Sequence, residues 1–318
     1  VPFNRFDGFD ELLKTGSMEN IVKNGWGFNG NYYVLPLYTN PMAYWWNKDV
    51  LDELGIDVPK TYSDVLNLGA KYNNPTKQKY TILTRHEPNW WDRWFDFCMS
   101  YQANSGGKPY WDDKKVLFND AHGLKYMEFI NQLFRKKYSP TENFQDALQK
   151  GIVLGSIEGP WGINYTKETY PEFNYVIAPP LVPDDYPADQ PIHTFADTKG
   201  MVMLTKNKQK QEVAWNFIKW YYSDIKHDVK WLEKTNMLPS REDVLARKEF
   251  AEYLSANPQL AEYAKLLPYS VPPALNRKTI ELQTKMNEVL WEPVIYGKKS
   301  PVKALNDAEK ELNKIIKQ

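Results

Sequence analysis

The stretch RHEPNWWDRWF, residues 85–95, brings two carboxylates, Glu87 and Asp92, into one short segment with Trp90, Trp91 and Trp94. Further on, EGPW sets Glu158 three residues ahead of Trp161. Indoles offer flat apolar faces and carboxylates accept hydrogen bonds from hydroxyls. Such rings either fill a core or lie against something flat, and the acids beside them either cap and solvate or accept from a ligand. The same groups serve hydrolysis, because a glycosidase works with two acids flanking an aromatic cleft. Binding without chemistry, and catalysis by Glu87 or Glu158 with Asp92 as second carboxylate, are both compatible with these residues.

Other chemistries lack their spacing. His86-Glu87 is followed by Pro-Asn-Trp rather than by a second histidine, and Ser156 in GSIEG stands one place early for a nucleophile elbow. No glycine-rich phosphate loop is present. His86, His122, His193 and His227 are scattered singly, the pattern of hydrogen-bonded histidines rather than of a ligand set. Cys98 is the only cysteine, so the chain builds neither an internal disulfide nor a zinc knuckle. No cofactor or metal is expected. Lys+Arg and Asp+Glu stand at 40 each, which leaves no field to attract nucleic acid or an anionic membrane. Twelve Trp, 21 Tyr and 14 Phe accompany a mean hydropathy of −0.63, so some rings are expected at surfaces.

The elements that must position these groups alternate between short apolar runs and amphipathic helices, the pattern of an α/β protein, and 318 residues suffice for two domains. Residues 31–39 and 43–47 read as strands, with alternation sending Tyr44 and Trp46 to one face and Trp45 to the other. Thr61 caps a helix with Asp64 three residues on. Strand 79–84 leads into the tryptophan segment, and the helix after Pro88 aligns Trp91, Trp94, Phe95, Cys98 and Met99, leaving Trp90 off the stripe. Helices are expected over 119–138 and 142–151, the latter ending at Gly151. A buried strand follows at 151–157, with a helix start at Pro160. Residues 179–198, rich in Pro and Asp, read as a crossing loop. The helix at 211–224 is expected to turn Val213, Phe217, Ile218 and Tyr221 inward. Ser240 caps another helix, and Ser300 and Pro301 open the last one, with Val302, Leu305, Leu312, Ile315 and Ile316 as its apolar face. No apolar run is long enough to cross a bilayer, and the first residues lack the form of a signal peptide.

The order of several blocks resembles the family 1 extracellular solute-binding proteins: Trp46-Asn47-Lys48-Asp49, Gly55-Ile56 and Pro59-Lys60-Thr61-Tyr62, then Lys150-Gly151 with Gly159-Pro160-Trp161, then the Ala214–Ile218 helix segment, and a similar C-terminal pair of helices. The resemblance implies a two-lobe, type II periplasmic-binding-protein-like α/β fold, with a sugar held in a cleft between lobes joined by hinge strands. It further implies delivery to the permease subunits of an ABC transporter, by a monomer in the periplasm or a cell-surface lipoprotein. Residues 1–84 are then part of the N-terminal lobe, 85–200 mainly the C-terminal lobe, and 201–318 hinge crossings with the remaining helices of both. Family members begin with a strand-helix-strand unit that nothing before Val1 supplies, so the first lobe is expected to be incomplete at its start.

Against that pattern Glu87-Pro88 with Trp90 and Trp91 matches the family's sugar-contacting turn, and Trp161 its second-lobe aromatic. Trp90 stands at the carboxyl end of a strand, where ligand crevices form in α/β sheets. Trp91 is claimed by both the core and the ligand. Tyr38, Asn40, Tyr44 and Trp46 lie near strand ends and are further candidates, and Glu87, Asn89, Glu158 and Asp197 are candidate hydroxyl acceptors. The number of rings points to an oligosaccharide, since each stacked sugar needs its own platform.

Overall fold

In a computed structural model of the chain, residues 1–85, 90–142, 144–274 and 276–318 are described, with Asn24 and residues 90–95 described by backbone alone. The strands in chain order are β1 (Gly27–Phe28), β2 (Asn31–Tyr32), β3 (Val34–Pro41), β4 (Ala43–Asn47), β5 (Tyr80–Ile82), β6 (Val153–Glu158), β7 (Tyr175–Ala178), β8 (Thr194–Val202) and β9 (Ser270–Val271). They form a β1-β2 hairpin, a sheet in the order β3-β8-β9 and a sheet in the order β5-β6-β4-β7.

The sequence AYWWN becomes a central strand because β4 is paired antiparallel on both edges, with β6 and with β7. Both of its faces are covered. Tyr44, Trp45 and Trp46 are 3%, 0% and 0% exposed, with Tyr44 and Trp46 stacked at 5.7 Å and Trp45 stacked on Tyr175 at 4.2 Å. Trp46 lies opposite Gly155 in the ladder, and a Cβ at Gly155 would meet the indole at 2.4 Å. Gly155→Ala is therefore expected to destabilise the protein by about 1–3 kcal/mol through overpacking. A urea midpoint equal to that of the unsubstituted chain would show that the ring can move aside without cost.

Helix Tyr62–Tyr72 opens with the capping box read from the sequence: the Thr61 side chain accepts from the Asp64 N–H, and the Asp64 carboxylate accepts from the Thr61 N–H at 2.9 Å. Helix Ala121–Arg135 buries Met127, Ile130 and Leu133, and the final helix Pro301–Lys317 buries Leu305 and Leu312 behind the expected Ser300 cap. Four expectations about helices fail, the first at Val302 of this last helix, which is 52% exposed. Residues 145–151 form turns rather than a helix, although Gly151 does take the left-handed conformation. Ser240 caps nothing, because its hydroxyl is 2.6 Å from that of Thr39, and only a short 3-10 turn, Val244–Ala246, follows. In helix Lys208–Ser223 the buried residues are Trp215, Ile218 and Tyr222, while Val213 and Phe217 are 70% and 55% exposed. The long-range bonds explain the phase: the Trp215 indole donates to the Asp7 carbonyl at 3.1 Å and the Tyr222 hydroxyl to that of Pro36 at 2.9 Å.

The chain divides into two compact units. One comprises Val1–Pro41, Gly159–Ile163 and Ala196–Pro272, the other Met42–Glu158, Asn164–Phe195 and Pro273–Gln318. Residues 42–84, expected in the first lobe, fall in the second unit because β4 and β5 both belong to the sheet built around β6. The first unit's core joins Phe3, Phe9 and Leu13 to Trp215, Ile218 and Tyr222. The second unit's core is larger, with Trp46, Phe97, Trp111, Tyr126 and Trp291 among its members.

Candidate functional site

In the first unit, the β3–β8 ladder pairs Tyr38 with Lys199 and Asn40 with Asp197. Because alternate residues share a face, these four form one polar patch on the sheet. Lys199 is ion-paired with Asp197. The Tyr38 ring stacks on Trp231 at 5.6 Å, and burial raises its phenol pKa, with Lys199 pulling the other way. Asn40 is 2% exposed and its Oδ1 has no hydrogen-bond partner among the described residues. Three of the residues picked from the sequence, Tyr38, Asn40 and Asp197, are thus gathered on one surface. Lys199 and Trp231 join them there. Lys199 had a visible signal in its spacing of two from Asp197; Trp231, distant in sequence, had none.

Trp161 belongs to the same unit and precedes helix Gly162–Thr169. It is 43% exposed, and a Cβ on Gly159 would meet its ring at 2.2–2.5 Å. The indole therefore rests directly against the Gly159 backbone, an approach that only glycine permits. The Gly-Pro-Trp motif in this way holds a large ring in place while leaving part of it uncovered.

In the second unit, Glu158 ends β6. Its carboxylate accepts from the Arg85 guanidinium at 3.0 Å and from the Ser156 hydroxyl at 2.5 Å. β5 and β6 run parallel, so Arg85 and Glu158 meet at the carboxyl ends of adjacent strands. Asp96, 1% exposed, accepts from the Arg85 N–H at 2.8 Å. Burial raises the Tyr44 phenol well above its ordinary pKa of 10, Asp96 adds to that, and Ser100 opposes it by hydrogen bonding. Tyr44 and Trp46, expected near the ligand, are corrected to core residues: both rings are enclosed because β4 is covered on its two faces. Glu158, expected as a hydroxyl acceptor, accepts these two hydrogen bonds within the protein. Glu87 and Asn89, and the side chains of Trp90, Trp91 and Asp92, lie outside the described residues. Among the described residues no group of three or more His, Cys, Asp or Glu side chains is placed to hold a metal ion, and no helix is long and apolar enough to cross a membrane.

The chain thus folds into two mixed α/β units that carry polar and aromatic groups at strand ends. Residues 2–262 match the model of the bacterial extracellular solute-binding proteins, and the chain belongs to that family. The structure is similar to the crystal structure of an uncharacterized protein, lmo0859, from Listeria monocytogenes, with a TM-score of 0.94 and 34% identity over 99% of this chain and 80% of that one. It also resembles the cyclic alpha-maltosyl-1,6-maltose binding protein of Arthrobacter globiformis, with a TM-score of 0.84 and 21% identity over 100% of this chain and 80% of that one. Among curated relatives, the maltotriose-binding protein of Pyrococcus abyssi is 22% identical over 89% of this chain and 60% of its own length. The chain thus spans about 60% of that relative's length. The solved neighbours bear out the two-lobe α/β fold. Members of the family are binding proteins, and nothing in these similarities supports the hydrolase alternative for Glu87, Glu158 and Asp92.

Proposed function

We propose that the chain binds a carbohydrate, an oligosaccharide rather than a single sugar, outside the cytoplasm. We further propose that, as a monomer, it delivers this ligand to the permease subunits of an ABC importer. The observation that carries this reading is Trp161, a partly exposed indole held flat on Gly159. Its flat apolar face suits the C–H face of a sugar ring. The Tyr38–Asn40–Asp197 patch supplies hydrogen-bonding groups of the kind that discriminate among hydroxyl patterns. The family membership, together with relatives named for maltotriose and for cyclic alpha-maltosyl-1,6-maltose, points to glucose oligomers as the first ligands to try. Hinge closure as the signal to the transporter, and the location in the periplasm or on a lipid anchor, follow from the resemblance alone. Trp90, Trp91, Glu87 and Asn89 remain assigned to the ligand on the match of their turn to the family's.

The test is a tryptophan-fluorescence titration with glucose, maltose, maltotriose and a cyclic glucan. Saturating changes with the di- and trisaccharide that are stronger than with glucose are expected. Silence with every one of them would remove carbohydrate binding as the function.

A further inference from the structure

Trp231, which no motif singled out, stands behind a ring of the first unit's polar patch. It lies on helix Ile225–Thr235, where the spacing of Asp228, Trp231, Leu232 and Thr235 puts all four on one face. That face is held down at two points. Leu232 is fully buried, and Asp228 accepts from the Arg241 guanidinium at 3.0 Å. Arg241 directly follows residues 238–240, which pair with the edge of β3 away from β8. The Thr39 N–H donates to the Leu238 carbonyl at 3.0 Å, the Ser240 N–H donates to that of Leu37 at 3.3 Å, and Tyr38 lies opposite Pro239. With Lys199 opposite Tyr38 on the other edge, the backbone of Tyr38 is fixed from both sides.

The ladder leaves the Tyr38 ring its side-chain torsions, and these decide where the hydroxyl points. The Trp231 indole restricts them. The two rings are 5.6 Å apart and 18° from parallel, a stack of the kind aromatic pairs favour. The Trp231 indole N–H is buried and has no acceptor among the described residues, so the ring serves through its flat face rather than through a hydrogen bond. Burial raises the Tyr38 phenol pKa, Lys199 lowers it and Asp197 raises it, which puts the hydroxyl within reach of both charges. We propose that Trp231 is a positioning residue for Tyr38: it backs one face of the phenol ring and so sets the hydroxyl on the Asn40–Asp197–Lys199 patch, where a ligand hydroxyl is met, without touching the ligand itself. The proposal rests on the carbohydrate-binding reading above. A group fixed before binding adds no ordering cost to the complex, and loosening it lowers affinity although every contacting group is still present.

The experiment measures maltotriose affinity and thermal midpoint for the unsubstituted protein, Tyr38→Ala, Trp231→Ala, Trp231→Phe and the double variant Tyr38→Ala/Trp231→Ala. Tyr38→Ala and Trp231→Ala are each expected to weaken binding by about tenfold. Trp231→Phe keeps a flat face and gives up an N–H without an acceptor, so it is expected to bind within about threefold of the unsubstituted protein. In the Tyr38→Ala background, Trp231→Ala is expected to change affinity by less than about twofold, because a residue that acts only through Tyr38 then has nothing to act on. If Trp231→Ala failed to fold, Trp231→Leu, which keeps bulk without a flat face, would be read in its place. Full affinity in either single alanine variant overturns the proposal. So does a further loss of about tenfold in the double variant, which would make Trp231 a ligand contact of its own or a merely structural residue. Trp231→Phe no better than Trp231→Ala overturns it as well, since the flat face would then not be what matters. Unsubstituted protein that binds no sugar defeats the functional reading and this proposal with it, a result distinct from one in which the unsubstituted protein binds and only the variants depart from expectation.

Discussion

Trp161→Ala is expected to bind its oligosaccharide about 30-fold or more weakly than the unsubstituted chain, with its thermal midpoint little changed. The magnitude follows from truncating a central aromatic anchor, which costs about 2 kcal/mol or more, where each 1.4 kcal/mol is tenfold in affinity. Stability is spared because the ring is 43% exposed. A companion substitution separates the presence of the ring from its placement. Gly159→Ala retains the indole but adds a methyl where ring atoms stand at 2.2–2.5 Å, so the platform must leave its seat and affinity should fall in parallel. Calorimetric titration decides. Full affinity in Trp161→Ala would remove Trp161 from the site, and loss in Trp161→Ala with full affinity in Gly159→Ala would mean that the ring works from another position.

The second large effect concerns stability. Arg241, with its side chain 3% exposed, donates from Nη1 to Asp228 at 3.0 Å and from Nε and Nη2 to Asp243 at 2.9 and 3.2 Å. Arg241→Met leaves the buried Asp228 without its cation and is expected to cost about 3–5 kcal/mol at pH 7. Burial pushes the Asp228 carboxyl up to about 6 from its ordinary 3.8, against the pull of Arg241. Arg241 divides its donors between two carboxylates, so its compensation of either is incomplete. A folded-state value above the unfolded one means that the folded chain holds a proton between about pH 4 and 6 that the unfolded chain has released. The associated stability is fully present below about pH 4 and is lost as the pH rises through about 6; at about 1.4 kcal/mol per unit it amounts to something on the order of 3 kcal/mol at most. Urea unfolding at pH 5 and pH 7 should therefore show Arg241→Met recovering part of its deficit at the lower pH. Asp228→Asn, which cannot titrate, should lack this contribution to the pH dependence. A cost for Arg241→Met below 1 kcal/mol, or one equal at both pH values, would rule this account out.

How much of the site was legible differs residue by residue. Gly-Pro-Trp announced Trp161 because its elements are local: a glycine for close approach, a proline, and a ring two residues on. Tyr38, Asn40 and Asp197 were recognisable as polar or aromatic residues near strand ends, but their grouping arises from the antiparallel register of β3 with β8, which pairs residues far apart in the chain. Trp231 entered through a stack with Tyr38 that no spacing announces. Glu158 read as an available acceptor because Arg85, its partner, stands 73 positions away.

By itself the sequence determined the elements whose cause is local. The run AYWWN forms a strand, Thr61 and Asp64 close a capping box, Ser300 and Pro301 start the last helix, and Gly151 turns the chain. Each depends on groups within a few residues of one another, where backbone sterics and short hydrogen bonds suffice. Tertiary structure alone decided which faces were hidden. Helix Lys208–Ser223 has the expected period but buries Trp215 and Tyr222 in place of Val213 and Phe217, because Asp7 and Pro36 offer acceptors on that side. Covering β4 on both faces likewise turned Tyr44 and Trp46 from ligand candidates into core. Periodicity states that a segment has a face to bury; the neighbour that buries it comes from elsewhere in the chain, and only packing brings that neighbour into reach.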